Sequence, residues 1–408
     1  VRKINSYNFI IRKVDESNKQ YLRENSIGLY AVNNLWKLSP GLLSEYEYSK
    51  IIYPQYIQVI LKGKIERNSI KWIQMQLLQS QFDSRHQTIT GLLPNKAVLD
   101  NLLINEHVIF IESPARKPSE EAAILDYNQS VNVLDFTRHI YGFEGNGVVI
   151  SIKELLYNET DLDLLGKHIQ SNEQASLTNQ HATSMASIIA GRGNSYSTGR
   201  GVMPNAKLTN SSFENLWADS IGHFNQSGAT IQNHSYGTKV ENYYGSFARS
   251  YDQLVYNQPE ILHVFSSGNS GTAKDSAGIY SDTPGFANLT GNFKMSKNTL
   301  AVGALDSTLQ VQNEISKGPA YDGRIKPELV AYSSSGSSGA AALVSAAAGM
   351  LQHFFKTDKD SNPDAALLKS ILINGADDVL APGPDFIYGY GNLNIARSLE
   401  ILKDKNYS

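Results

Sequence analysis

From about residue 140 onward the chain repeats one texture. Short, nearly uninterrupted apolar runs such as Val148-Val149-Ile150-Ser151-Ile152 and Ile261-Leu262-His263-Val264-Phe265 alternate with helix-compatible segments and glycine turns. A strand with one wet face alternates apolar and polar residues; a strand covered on both faces does not need to. The pattern therefore predicts an α/β fold, a parallel sheet flanked by helices, over residues 135–408.

The first third of the chain reads differently. Tyr56 to Leu61 is a short apolar run that predicts a strand, and Ile70, Ile73, Leu77 and Leu78 predict a helix over 68–81. Thr88 to Pro94 reads as strand into turn, Asn95 is placed to cap a helix through Val98, Leu99, Leu102 and Leu103, and Val108 to Ile111 predicts a further strand. These elements predict a small α+β domain over residues 56–112. Residues 1–55 form an N-terminal extension, in which Tyr7 to Ile11 suggests a strand and Leu35 to Leu38 precedes a proline-glycine turn. Residues 113–134 open with Ser-Pro-Ala-Arg-Lys-Pro-Ser-Glu-Glu, polar, charged and proline-bearing, which marks an exposed linker.

Composition narrows the function classes. Lysine plus arginine is 36 against 39 aspartate plus glutamate, a net charge of −3, so the basic excess of a nucleic-acid binder is missing and no nucleic-acid partner is expected. With no cysteine, thiolate catalysis, disulfides and Cys-based zinc sites are excluded. No residue cluster reads as a metal cage, so no metal or other cofactor is expected. The chain starts at Val1 with no basic-then-apolar leader, which is the look of a mature or trimmed product.

Four segments carry chemistry. In Ser335-Gly336-Ser337-Ser338-Gly339-Ala340-Ala341-Ala342 a serine cluster runs into a small-residue helix, placing Ser338 where free backbone N–H groups favour a developing anion. His181 opens a second small-residue helix, where a neutral imidazole can take a proton from a serine and return it. Glu154 ends the run Ile150-Ser151-Ile152-Lys153, and a carboxylate there can orient an imidazole. Asn269, in a glycine turn after Phe265-Ser266-Ser267-Gly268, can offer its amide to an oxyanion. Each has a plainer reading on its own: a helix cap, a core or surface histidine, an exposed glutamate, a turn asparagine.

Together, in the order acid, His, Asn, Ser, they resemble the subtilase family of serine peptidases. The resemblance spans roughly residues 135–400. It also rests on Gly145-Asn146-Gly147 before the acid strand, Asp163-Leu164 and Gly166, Gly201 to Leu208, Asn233-His234-Ser235-Tyr236-Gly237, Gly318 to Ala331, and Tyr388 to Asn394. Details around Lys153-Glu154 and Gly336 to Ala342 look like a branch common in Bacteroidetes. The resemblance implies peptide-bond hydrolysis through an acyl-enzyme. Ser338 is then the nucleophile, His181 the general base and acid, Glu154 the triad acid, Asn269 the oxyanion donor, and Ser235, Tyr236 and Gly237 the substrate-binding strand. The ungapped register from Gly145 to Gly166 places Glu154 at the triad acid, with Asp161 and Asp163 as its rivals.

The resemblance further implies that residues 56–112 are a propeptide-like, ferredoxin-like domain acting as folding helper and intramolecular inhibitor. It implies a protein or peptide substrate, a secreted or cell-surface location, and a place in an outer-membrane or surface complex. The sequence departs from the family at Glu154, usually Asp, at Leu155-Leu156, usually Thr-Gly, and at Ala182, Ser184, Ser337 and Ala342, usually Gly, His, Thr and Pro. These departures leave two other classes open: a catalytically dead subtilase-like scaffold, and an esterase-like serine hydrolase. The absent Gly-x-Ser-x-Gly elbow counts against the latter.

Overall fold

A computed structural model of the chain describes residues 2–3, 9–10, 33–114, 117–120, 132–196, 199–380 and 382–405. It divides into two compact units, residues 1–114 and 115–408.

In the first unit, strands Gln55–Leu61, Leu78–Asp83, Thr88–Leu93 and Val108–Glu112 form an antiparallel sheet. The spatial order is Leu78–Asp83, Thr88–Leu93, Gln55–Leu61, Val108–Glu112. Helices Arg67–Gln76 and Lys96–Ile104 complete the β-α-β-β-α-β ferredoxin-like order. Ile57, Val59 and Leu61 point to one face by the two-residue strand period and pack with Ile73, Ile89, Leu99 and Ile111. Asn95 caps its helix as expected, accepting from the Val98 N–H at 3.1 Å.

The structure corrects the sequence reading in three places. The helix predicted to reach 81 stops at Gln76, and Leu78 opens a strand paired with Leu92. Helical spacing of Leu77 and Leu78 was coincidental there, because pairing with Thr88–Leu93 outweighs local periodicity. The Pro40-Gly41 pair is not a turn but the start of a helix, Pro40–Glu47, where a proline at the first position loses no hydrogen bond. Finally, the small unit begins well before residue 56: Leu38 and Leu42 lie in its core, and the buried Lys37 ammonium donates to the carbonyls of Leu103 and Asn105 at 2.5 and 2.8 Å. Of the expected 7–11 strand, Phe9–Ile10 pairs with Arg2–Lys3, while Tyr7, Asn8 and Ile11 lie outside the described residues. Most of the 113–134 linker lies outside them too.

The second unit is built on a seven-stranded sheet whose pairings are all parallel, as the buried apolar runs predict. The order is Leu329–Tyr332, Leu300–Leu305, Leu262–Ser266, Ile231–His234, Val149–Lys153, Lys207–Ser211, His168–Ile169. The chain starts at Val149–Lys153, builds to one side, then crosses to Ile231–His234 on the other. Strand order thus reverses between these two neighbours, which opens a crevice at their C-terminal ends. Helices Gln180–Ala190 and Gly336–Lys359 pack on each other and on the sheet. Their small residues are what permits it: Ala340, Ala341, Ala342, Ala346, Ala347 and Ala348 are fully buried, and Gly349 lies against Met203 and Ile150. No helix among the described residues is long and apolar enough to cross a membrane.

Candidate active site

Glu154 follows directly on strand Val149–Lys153, at the switch point. Its N–H extends the ladder to the Ser211 carbonyl at 2.9 Å, and the residue is fully buried. The strand end is braced from below: the buried Lys153 ammonium pairs with Asp219, whose other oxygen accepts from the Gln232 amide at 2.6 Å. Burial would raise the Asp219 pKa, but the Lys153 charge overrides it and holds the carboxyl at about 2.

His181 is the second residue of helix Gln180–Ala190. Asn179 caps that helix, accepting from the Ala182 N–H at 2.8 Å. The cap fixes where the first turn starts, and the imidazole Nδ1 meets Glu154 Oε1 in a hydrogen bond. The glutamate's extra methylene is thus accommodated, and the acid–imidazole contact survives the departure from aspartate. The rival acids are spent elsewhere. Asp161 accepts from the Asp163 N–H at 2.9 Å, and Asp163 accepts from the backbone N–H groups of Asn194 and Ser195.

Ser338 lies in the first turn of helix Gly336–Lys359, fully buried, its Oγ donating to the Ser235 carbonyl at 3.3 Å. The Ser235 hydroxyl returns a bond to the Ser338 carbonyl at 2.9 Å, clamping the serine to the strand that carries Tyr236 and Gly237. This helix has no side-chain cap from Ser335. Its first turn is satisfied by Asn269 instead, whose Oδ1 accepts from the Ser337 N–H at 3.2 Å and from the Ser337 hydroxyl at 2.9 Å. The same hydroxyl accepts from the Gly268 N–H at 3.1 Å. With Oδ1 so held, the amide nitrogen of Asn269 faces Gly336, where any Cβ would come within 2.7 Å of it. Gly336 also has φ +61°, a left-handed value that glycine adopts without strain.

Ser337 is a residue the sequence reading did not assign a role. It stands between two candidate residues as a relay, receiving from Gly268 and giving to Asn269, and so fixes which way the asparagine amide points. Its only sequence signal was the small polar residue before the nucleophile position. The structure brings Glu154 to His181, Asn269 to the turn of Ser338, and Ser338 to Ser235. It also pairs Tyr236–Gly237 antiparallel with Ser119–Glu120, Tyr236 opposite Glu120 and Gly237 opposite Ser119.

Comparison with known proteins agrees with this architecture. The sequence model of the subtilase family matches residues 166–391, more than half of the chain, and the chain belongs to that family. Among solved structures it is similar to fervidolysin from Fervidobacterium pennivorans, a keratinolytic enzyme related to subtilisin. That match has a TM-score of 0.56 and 16% identity, covering 85% of this chain and 61% of that one. It is also similar to the prenylagaramide maturation protease PagA, with a TM-score of 0.51 and 19% identity over 65% of this chain and 98% of that one. At these identities the likeness concerns the fold. The coverage by fervidolysin exceeds what the second unit alone supplies, so it extends into the first.

Proposed function

We propose that the chain is a serine endopeptidase working through an acyl-enzyme. Ser338 Oγ attacks the peptide carbonyl as His181 Nε2 takes its proton. In this reading Oγ leaves the Ser235 carbonyl, which it bonds at 3.3 Å, for His181 Nε2. Glu154, bonded at Nδ1, holds the tautomer in which Nε2 is the acceptor and stabilises the imidazolium that forms. The oxyanion is received by the Asn269 amide and the Ser338 N–H. His181 then protonates the leaving amine, and water resolves the ester by the same route. The observation that carries this reading is the Glu154–His181 bond on buried elements of the same unit in which Ser338 Oγ bonds to the Ser235 carbonyl and the neighbouring Ser337 bonds to Asn269.

A substrate in this reading lies as an extended strand beside Ser235-Tyr236-Gly237. The antiparallel pairing of Ser119–Glu120 with Tyr236–Gly237 supports this, since one segment of the chain already uses that edge as a peptide would. It equally supports an intramolecular inhibitory role for the region preceding the catalytic unit, released when the segment is cut. Export to the cell surface or beyond remains part of the proposal.

The test is casein hydrolysis by the purified chain and by Ser338→Ala. The wild type should cleave casein and process itself, and the variant should do neither. Equal rates in both would overturn the assignment of Ser338. Absence of hydrolysis in both, with the chain folded, would favour a catalytically dead scaffold.

A further inference from the structure

A cavity of about 260 Å³ lies against the Asn269 turn. Asn269 and Gly336 form part of its wall, and Ala304, Leu305 and Ile315 give it an apolar lining. The sheet order fixes where this cavity stands. Strand Leu262–Ser266, which leads to Asn269, has Ile231–His234 as its neighbour on one side and Leu300–Leu305 on the other. Ser235-Tyr236-Gly237 continues the first neighbour, and Ala304 and Leu305 end the second. In the peptidase reading the acyl side of a substrate lies on Ser235–Gly237 and its scissile carbonyl is at Asn269. An extended peptide does not double back, so its leaving segment runs on past Asn269, over the end of Leu300–Leu305. At about 3.3–3.6 Å per residue, the first or second residue after the cut bond reaches the cavity.

Among the described residues lining the cavity, Glu314 alone carries a charge. The residue is exposed, and among the described residues no ion pair or hydrogen bond engages its carboxylate. Its backbone, by contrast, is laced to the turn that carries Asn269. The Gly271 N–H donates to the Glu314 carbonyl at 2.7 Å, the Ser316 N–H to the Gly268 carbonyl at 2.9 Å, and the Ser270 N–H to the Ser316 hydroxyl at 3.0 Å. The two segments run so close that a Cβ at Gly271 would come within 2.2 Å of the Asn313 carbonyl oxygen and 2.3 Å of that of Ile315. This lacing sets the distance of the Glu314 backbone from Asn269 and leaves the carboxylate open to a guest. A carboxylate on an apolar-lined cavity matches a side chain with a long apolar stem and a cationic head.

We propose that this cavity receives a side chain of the leaving segment and that Glu314 makes it select lysine or arginine. The stem packs on Ala304, Leu305 and Ile315, and the ammonium or guanidinium pairs with Glu314. The inference rests on the peptidase reading above and adds which residue type follows the cut bond. Because Glu314 is exposed, the selectivity is moderate and screened by salt.

The experiment uses the full chain and two sets of peptides that share one acyl-side sequence, taken from a cut site mapped in casein. One set varies the first leaving-side residue among Lys, Arg, Gln, Met and Glu, the other the second, with cuts mapped by mass. At one of these positions Lys and Arg should exceed Gln and Met by about tenfold in kcat/KM at low salt, with Glu below Gln. Near about 0.5 M NaCl the preference should shrink to within about threefold. Glu314→Gln should bring Lys and Gln to within about twofold of each other at any salt, and Glu314→Lys should invert the order, favouring Glu over Lys. Both variants change an exposed side chain and keep the backbone bonds to Gly271, so the fold is retained. Equal cleavage of Lys and Gln peptides at both positions overturns the inference while leaving the peptidase reading standing, as does a Lys preference that survives Glu314→Gln. If no peptide is cut and Ser338 takes no covalent label, the peptidase reading itself fails, and this inference with it.

Discussion

Two helices of the second unit carry His181 and Ser338, the proposed base and nucleophile, and they begin in opposite ways. Helix Gln180–Ala190 is capped from its own sequence, Asn179 accepting from Ala182 three residues on. Helix Gly336–Lys359 is capped from across the sheet, by Asn269, 68 residues away. The first arrangement is local and buys a stable start for His181. The second couples the turn that carries Ser338 to the turn that carries Asn269, so that one asparagine both finishes a helix and, in the proposed mechanism, faces the reacting carbonyl. Disturbing the local cap should therefore cost stability, whereas disturbing the distant one should cost catalysis first.

The largest effect should come from the acid that serves the locally capped helix. Glu154→Gln keeps size but loses the charge that favours the imidazolium, and kcat should fall by roughly 10⁴-fold, as for the equivalent change in other triads. Asp163→Asn, by contrast, should lower the melting temperature through its lost loop bonds and leave kcat within a few-fold, roughly, since Asp163 holds Asn194 and Ser195 rather than His181. A loss of turnover in Asp163→Asn with none in Glu154→Gln would reverse the assignment.

The support beneath Glu154 is next. Asp219→Asn leaves the Lys153 ammonium buried without its counter-charge, and should destabilise the chain by about 3–5 kcal/mol in urea unfolding. The wild type has a related acid weakness. Asp219 is held at about 2, and burial pushes His263 down to about 3 and His234 well below its ordinary value. All three pKa values are depressed in the folded state. Their contribution is present above the unfolded values and is lost as pH falls, from about 6.5 toward 3 for His263 and from about 3.8 toward 2 for Asp219. Urea midpoints should therefore decline steadily from pH 7 to pH 3. A flat profile between pH 6.5 and 4 would contradict the neutral burial of the histidines.

The distant cap itself is probed by Asn269→Asp, which keeps an oxygen for Ser337 but removes the amide donor. A fall in kcat of roughly 10²–10³-fold with little change in KM is expected, the size found for such a donor in subtilisin itself. A change confined to KM would make Asn269 a ground-state contact. The smallest effect should come from the local cap. Asn179→Ala should cost about 1 kcal/mol of stability, with a far smaller loss of turnover than at Asn269.

The same contrast explains what was legible in the sequence. The parallel sheet was readable because buried strands write themselves as apolar runs, and His181, Ser338, Glu154 and Asn269 were readable because each sits where a strand or helix ends. The Asn95 cap was readable because it acts three residues away. Long-range choices were not. Leu77 and Leu78 had helical spacing, yet pairing with residues far along the chain made a strand there. Likewise nothing local announces that Ser337 bonds Asn269, or that Lys294 reaches Ser266 and Thr290, because those contacts exist only once the sheet has formed.

The central claim is that Ser338 is a nucleophile activated by a Glu154-supported His181. It is tested most directly by a fluorophosphonate reagent, followed by mass until the chain's own processing is complete. The account predicts one covalent adduct, mapped to Ser338, in the wild type, and its loss in His181→Ala. A folded chain that takes no adduct, or labels equally well without His181, would contradict it.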